Sequence, residues 1–309
     1  MKNTIIAIMI ILSSSLFAEE IKIMQAMKTG NAPVIDGVLS ESCWQSSSKA
    51  REFSLIISGT GLARMQTSFA VLYDETNLYL GIECKEENMS KLKKTCNVHD
   101  GPVYADDCIE IFFDTNLDQQ TYFHLIVNAA GTKADWDFKN KEWNPRWETA
   151  VKESKKSWTL EIAIPFSELG INKVTGSLLR FNVCRARMAD ETEYSCWSNT
   201  NGSFHAPTKF GWLTIGTYDE TVKYNLIPEI KKIIMNYNKR LSGKGEIEKA
   251  MQKKMEALCV PLTAIEKNYA DGKLATAGDI EKLQYTLTRL KNFEYELKLN
   301  LLFNEKRAK

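Results

Sequence analysis

Hydrophobic and polar residues alternate along much of the chain between residues 50 and 216, most sharply from Gly101 to Trp136. Along 108–114, Ile109, Ile111 and Phe113 point one way and Cys108, Glu110, Phe112 and Asp114 the other, because successive strand side chains face opposite sides. The next run repeats this: Phe123, Leu125, Val127 and Ala129 share one face, and His124, Ile126 and Asn128 the other. A tight turn at Ala130-Gly131 leads into a third strand. If the first two strands pair, Glu110 and Asn128 share a polar face, with Tyr104 over its rim. An aromatic ring above a carboxylate and an amide suits a sugar, whose C–H face stacks on the ring while its hydroxyls meet fixed acceptors and donors.

The remaining pattern predicts more strands. Ile35-Asp36-Gly37 reads as a strand end and turn, and Phe53 to Ile57 as a short strand. Met65 to Tyr73 turns through Asp74-Glu75-Thr76-Asn77 into Leu78 to Cys84, a hairpin. Trp147 to Glu153 and Trp158 to Ile164 form another, followed by Leu178 to Arg187, Tyr194 to Ser198 and Lys209 to Ile215. About ten strands with no long helix among them predict an antiparallel β-sandwich of two sheets. The period then changes. Leu226, Ile230, Ile233 and Tyr237 follow a helical repeat, as do Met251, Met255, Leu262 and Ile265, with a break expected at Pro261. Ile280, Leu283, Leu287, Leu290 and Leu297 make a third stripe. The expected organisation is therefore a leader at 1–18, a sandwich over 19–218 and a helical hairpin or three-helix extension over 219–309. That extension packs on itself or on the sandwich, with self-association as the alternative.

The leader reading rests on Lys2, the apolar run Ile5 to Leu12 and the small-residue exit ending at Ala18, which together resemble a secretory signal peptide. A secreted or periplasmic protein is expected, with no membrane span, since the apolar run falls short of the ~20 residues that crossing needs. Export permits disulfides. Seven cysteines leave at least one unpaired within the chain, and no C-x-x-C spacing supports zinc or redox chemistry. Cys184 and Cys196, on consecutive strands, are the pair to test first. The net charge of +1 conceals an asymmetry. Residues 219–309 carry 18 Lys/Arg against 13 Asp/Glu, and the rest carry 22 against 26. The β-rich part is thus mildly acidic, which argues against a nucleic-acid ligand.

The chain resembles the family 9 carbohydrate-binding modules over about residues 32–216. The matching pieces are Val34-Ile35-Asp36-Gly37 with Trp44, Val71-Leu72-Tyr73-Asp74 with Leu78-Tyr79-Leu80-Gly81, and Asp107-Cys108-Ile109-Glu110-Ile111-Phe112. Trp158 to Phe166, Phe181-Asn182-Val183 and Lys209-Phe210-Gly211 continue the series. The resemblance implies a sandwich of two antiparallel sheets and a non-catalytic domain that grips a sugar at a chain end between two aromatic rings, normally tryptophans. Carried over, those rings fall on Tyr104 and Phe204, and the polar positions on Glu110, Asn128 and Asn201. The family's arginine falls on Ile126, a departure for which His124 or Arg185 could substitute. The resemblance also makes structural calcium an expected ion, and polysaccharide-degrading enzymes an expected context.

Other chemistries fare less well. Asp106-Asp107, Glu110 and Asp114 invite a glycosidase with paired carboxylates, but acidic residues at strand ends are common and spacing alone sets no cleft. Asp114-Thr115-Asn116-Leu117-Asp118 alternates oxygen ligands, yet Gln119 and Leu125 stand where the twelve-residue calcium loop needs glycine and glutamate. A DOMON-like haem domain would draw its axial ligand from His99, His124 or His205, with no C-x-x-C-H present; no haem is expected. A sandwich that has lost its ligand is the remaining alternative. No nucleophile elbow, phosphate loop or H-E-x-x-H occurs.

Overall fold

The computed structural model describes residues 22–57, 61–140, 142–241 and 246–307; the expected leader at 1–18 lies outside them. Twelve strands are formed among these residues: β1 (Ile23–Lys28), β2 (Ser54–Leu55), β3 (Thr67–Tyr73), β4 (Asn77–Lys85), β5 (Cys108–Asp114), β6 (Phe123–Asn128), β7 (Lys133–Asp137), β8 (Glu148–Glu153), β9 (Ser157–Pro165), β10 (Leu178–Arg187), β11 (Glu193–Cys196) and β12 (Gly211–Ile215). A short helix α1 (Ser42–Ser46) precedes β2. After β12 come α2 (Tyr218–Thr221), one π-helical turn, α3 (Ile227–Arg240), α4 (Glu246–Leu258), α5 (Val260–Ala270) and α6 (Ala277–Arg307).

The protein is mainly β with C-terminal helices, but the pairing does not divide into two antiparallel sheets. Ten strands form one path in the order β7-β6-β5-β10-β12-β1-β3-β4-β9-β8, and β11 and β2 branch from β10. The linking strand is β1, to which no strand was assigned from the pattern. Its first half pairs parallel with β12, from Ile23↔Trp212 to Ala26↔Ile215. Its second half pairs parallel with β3 at Met27↔Leu72 and Lys28↔Tyr73. All other neighbours are antiparallel. The path nearly closes: Lys133 Nζ of β7 donates to the Trp147 carbonyl just before β8 at 2.9 Å, and Trp147 Nε1 donates to Asp135 Oδ1 of β7 at 2.9 Å. The result is a barrel-like mixed sheet.

The alternating positions fill its interior. Val71, Leu80, Ile109, Ile111, Phe113, Leu125, Val127, Leu160, Ile162, Phe181, Val183 and Leu213 belong to one buried cluster. Local chemistry sets the turns. In the β3–β4 hairpin, Asp74 Oδ1 accepts from the amides of Thr76 (2.7 Å) and Asn77 (2.8 Å), the self-bonding that suits aspartate to turns. On the outer face of β9, Glu161 is fully buried and accepts from Asp36 N, Gly37 N and Trp44 Nε1 at 3.0, 2.8 and 2.7 Å. One carboxylate thus binds the Ile35-Asp36-Gly37 turn and the α1 tryptophan to β9. Gly37 has φ +83° and a Cβ there would lie 2.7 Å from the Val151 carbonyl carbon, so glycine is required. Gly81 lies under Trp44, where a Cβ would come within 2.9 Å of the indole.

The helices bury a second cluster. Ile230, Tyr237, Leu262, Ile265, Ile280, Leu283, Leu287, Leu290 and Leu297 pack together with Leu178 of β10 and Trp212 of β12. Pro261 opens α5, where the expected break occurs. No helix among the described residues is long and apolar enough to cross a membrane.

Cys184 and Cys196 are directly opposed on β10 and β11. Trp197 N donates to Val183 O at 2.9 Å, so the pair is of the non-hydrogen-bonded kind, where Cα atoms stand about 4.5 Å apart, within disulfide range. Both are free thiols in this structure; burial raises the Cys184 thiol, whereas its hydrogen bond to Cys184 lowers that of Cys196, and a bond between them belongs to an oxidising compartment. We expect protein recovered from such a compartment to yield a linked Cys184–Cys196 peptide, two hydrogens lighter than the separate peptides. Recovery of both as alkylated thiols without prior reduction would rule the bond out.

Candidate functional site

The outward residues of β5, β6 and β7 meet in rows fixed by register. Phe112 faces His124, which faces Trp136; Glu110 faces Ile126, which faces Ala134. These rows floor a cleft of about 940 Å³ whose walls include Tyr104, Tyr122, Phe138, Tyr194, Phe204 and His205. Phe112 is wholly buried and stacks under His124 with ring centres 4.2 Å apart and planes 13° from parallel. Trp136 lies on the other side of His124 at 5.4 Å. The imidazole is thus held between two rings, and its Nε2 shares a 2.8 Å hydrogen bond with Glu110 Oε2. Both partners are almost fully buried. His205, from the loop before β12, stands edge-on to Phe112 and His124, and its Nδ1 shares a 2.9 Å hydrogen bond with the Tyr122 hydroxyl. Burial and the neighbouring His124 hold the His205 imidazole below the usual histidine range. Burial, helped by the Glu110 carboxylate, raises the Tyr122 phenol. Aromatic rings therefore surround one buried polar pair, an arrangement that can cover apolar C–H faces while reading a few hydroxyls.

Of the residues expected at the site, Tyr104, Glu110 and Phe204 line this one cleft. They differ in character: Tyr104 is 56% exposed, whereas Phe204 is 7% exposed and packs with Phe112, Cys184, Cys196 and Phe210. Asn128 lies on the same sheet face but not in the lining. Its Nδ2 donates to Cys96 O (2.8 Å) and Asp106 Oδ2 (2.9 Å), and its Oδ1 accepts from Ala130 N (3.1 Å) and Thr132 N (2.8 Å). Its oxygen thus serves the β6–β7 turn and its amide nitrogen the segment before β5, which uses all its hydrogen-bonding capacity. Asn201 is exposed on a positive-φ turn next to Gly202, which does line the cleft. Ile126 is part of the lining, as is His124. Arg185, the other basic residue considered there, is buried elsewhere against the Met65 and Lys85 carbonyls and Glu86. Trp136, Phe138, Tyr122, Tyr194 and His205 were not assigned from sequence. Trp136 and Phe138 could have been found by continuing the alternation one strand further, to the row of His124.

The acidic candidates have structural occupations. Asp107 accepts from Lys93 N (2.8 Å) and Met188 N (2.9 Å), and Asp106 from Cys96 N (2.8 Å), Thr95 Oγ1 (2.8 Å) and Asn128. Burial alone would raise the Asp106 carboxyl, but these donors hold it below its ordinary value. The Asp114–Asp118 segment closes on itself: Asp118 accepts from Gln120 N, Thr121 N and Thr121 Oγ1, Asn116 Oδ1 accepts from Asp118 N, and Asp114 Oδ2 from Gln119 N. Asp114 also stands opposite the cationic Arg180 in the β5–β10 register. Asp114 Oδ1 is buried with no hydrogen-bond partner.

Comparison with solved structures shows the fold. A candidate carbohydrate-binding protein from Bacteroides uniformis aligns with a TM-score of 0.52 at 18% identity, covering 63% of this chain and 99% of that one. A family 9 carbohydrate-binding module from Caldicellulosiruptor kristjanssonii, solved with glucose, aligns at 0.49 and 18% identity, covering 63% and 97%. No curated protein matches the sequence. The family model for the carbohydrate family 9 binding domain-like proteins matches residues 35–217, more than half of the chain and the whole span from the Ile35 turn to the end of β12. The chain belongs to the carbohydrate family 9 binding domain-like family.

Proposed function

We propose that the cleft binds carbohydrate without transforming it, stacking a sugar against Tyr104 and the rings beside it while the Glu110–His124 pair meets its hydroxyls. The observation that carries this is the convergence of exposed aromatic rings from separate elements, Tyr104 before β5 and Trp136 on β7, around one buried carboxylate–imidazole pair. Membership of the family supports it. A non-catalytic role is favoured by the lining itself: among its described residues Glu110 is the sole carboxylate, whereas glycoside hydrolysis ordinarily needs two. The same proposal includes export behind a cleaved leader, a β-domain ending near residue 218 and recognition of a polysaccharide chain end. Intact mass of the exported protein tests the leader, and chain-end against internal glycans test the last point. A structural calcium ion is part of the same proposal, with no ligand set assigned; chelation leaving both metal content and melting temperature unchanged would remove it.

The deciding measurement is a glycan array on the mature protein followed by calorimetric titration of the strongest hit. Tyr104→Ala and Trp136→Ala should each weaken binding, since an aromatic contact contributes about 0.5–1.5 kcal/mol beyond the area it buries, roughly a two- to twelvefold change in affinity. Tyr285→Ala, an exposed ring on α6, serves as the control and should change nothing. No hit on the array, or unaltered affinity in both cleft variants, would defeat the proposal.

A further inference from the structure

A second polar cluster lies away from the cleft, at the seam where β7 and β8 approach without pairing. His99 and Asp100 sit on the loop before β5, and Asp135 on β7 with its carboxylate on the core side, opposite Leu125. Backbone geometry holds the loop against the strand: Asp100 N donates to Lys133 O at 3.2 Å, and Asp135 N donates to Asp100 Oδ1 at 3.1 Å. His99 Nε2 then lies 3.3 Å from Asp135 Oδ1 and 3.6 Å from Asp100 Oδ1. One ligand atom from each residue falls within 4.8 Å of the others.

We propose that His99, Asp100 and Asp135 bind a divalent metal ion of borderline hardness, zinc first. The separations support this. Ligand atoms about 2.0–2.2 Å from a tetrahedral ion stand roughly 3.3–3.6 Å apart, the spacing of the two nitrogen–oxygen pairs here. The second, independent observation is Asp135. It is 4% exposed, and its Oδ2 is buried with no hydrogen-bond partner. An orphaned carboxylate oxygen at that depth is unfavourable unless a cation meets it. Oδ1, the oxygen 3.3 Å from His99 Nε2, also accepts from Trp147 Nε1 at 2.9 Å, which orients the carboxylate as outer partners orient metal ligands, while Oδ2 is the oxygen left without a partner. One nitrogen and two carboxylates suit zinc better than calcium, which takes an all-oxygen shell. Three protein ligands leave a position for water. The ion would join the 98–100 loop to the β7 edge and, through Trp147, to β8, closing the seam that hydrogen bonding leaves open.

The test is calorimetric titration of the untagged, chelator-treated full chain with zinc chloride, and separately with calcium chloride, with melting curves in parallel. A 1:1 zinc isotherm with a raised melting temperature is expected, and zinc should bind more tightly than calcium. His99→Ala and Asp100→Asn change partly exposed loop residues, and asparagine tolerates the positive φ of Asp100 (+58°). Each should weaken zinc binding at least tenfold, since even outer-partner changes weaken metal sites by about 10–100-fold, while the metal-free melting temperature stays near that of the parent. Absence of zinc binding by the parent would overturn the inference, leaving His99 as a hydrogen-bonding partner of the two aspartates. Binding that both variants retain, or calcium binding as tight as zinc, would overturn it equally.

Discussion

Glu86→Ala is expected to remove about 3–5 kcal/mol of stability, the usual consequence of taking one partner from a buried ion cluster. Glu86 is fully buried just after β4, and both arginines that face it, Arg185 and Arg187 of β10, are 1% exposed. Arg187 donates through Nε to Glu86 Oε2 (2.6 Å) and through Nη2 to Oε1 (2.9 Å), a fork-on-carboxylate pair. Arg185 Nη2 adds a longer contact at 3.4 Å, and Asn88 N donates to Oε1 at 2.9 Å. Without the carboxylate two guanidinium groups would stay buried with no carboxylate in contact, Glu193 and Asp107 acting on Arg187 only at a distance. Domains of this kind have about 5–15 kcal/mol in total, so the variant should unfold at much lower urea concentration or fail to accumulate. A loss under about 1 kcal/mol, a surface ion pair's typical contribution, would mean that the arginines find water or another acceptor.

The same cluster gives a pH dependence whose sign follows from the shift. Burial would raise the Glu86 carboxyl, but the Arg187 hydrogen bonds, the Asn88 amide and the charge of both arginines outweigh it and hold it below the ordinary value of 4.5. Between the folded value and 4.5 the unfolded chain binds more protons, so stability rises with pH there. The contribution is complete above about 4.5 and is lost as the pH falls through the folded value. The parent should therefore lose stability in acid more steeply than Glu86→Gln, measured by urea midpoints over that range.

The second large effect is expected in the cleft. Glu110→Gln keeps the shape of the side chain and removes its charge. Hydrogen bonds to charged groups contribute about 1.5–3 kcal/mol, so sugar affinity should fall roughly ten- to 150-fold. Because Glu110 shares its hydrogen bond with His124, the variant also loosens an imidazole held between Phe112 and Trp136. His124→Phe separates the two roles: it preserves the stack and leaves Glu110 without its partner. If Glu110 acts directly on the sugar, Glu110→Gln weakens binding more than Tyr104→Ala does, at an unchanged melting temperature. Unchanged affinity in Glu110→Gln would place the hydroxyl-reading group elsewhere, and a fall in melting temperature matching the loss in affinity would make the pair structural.

Alternation alone carried much of the β-domain. The inward set Ile109, Ile111 and Phe113 and its partners Leu125 and Val127 are buried together as the pattern required, because side-chain direction in a strand follows from parity and needs no knowledge of the partner. It failed at β1. Ile-Met-Gln-Ala-Met-Lys is short and rich in residues common in helices, and only long-range parallel pairing with β12 and β3 makes it a strand. That one strand turns two expected sheets into a single, nearly closed path. Tyr104, Glu110 and Phe204 could be nominated from the sequence as residues of one site, and the fold brings them to one cleft.

Whether a polar residue there is free for a ligand was not legible. Asn128 and Asp106 bond to each other and to nearby backbone, and Asp107 accepts the amides of Lys93 and Met188 from both sides of the chain. A polar side chain's availability depends on which donors the folded chain brings to it, and those come from anywhere in the sequence. The same holds for the row Phe112–His124–Trp136, set by the register of three strands, and for His99, Asp100 and Asp135, joined only because a loop runs along the edge of β7. Sequence by itself determined the periods, the apolar faces and the family, because these are local or repeated along the chain. Tertiary structure alone decided the closure of the sheet, the partners of the buried charges and the membership of each site, because register and loop placement are properties of pairs of segments distant in sequence.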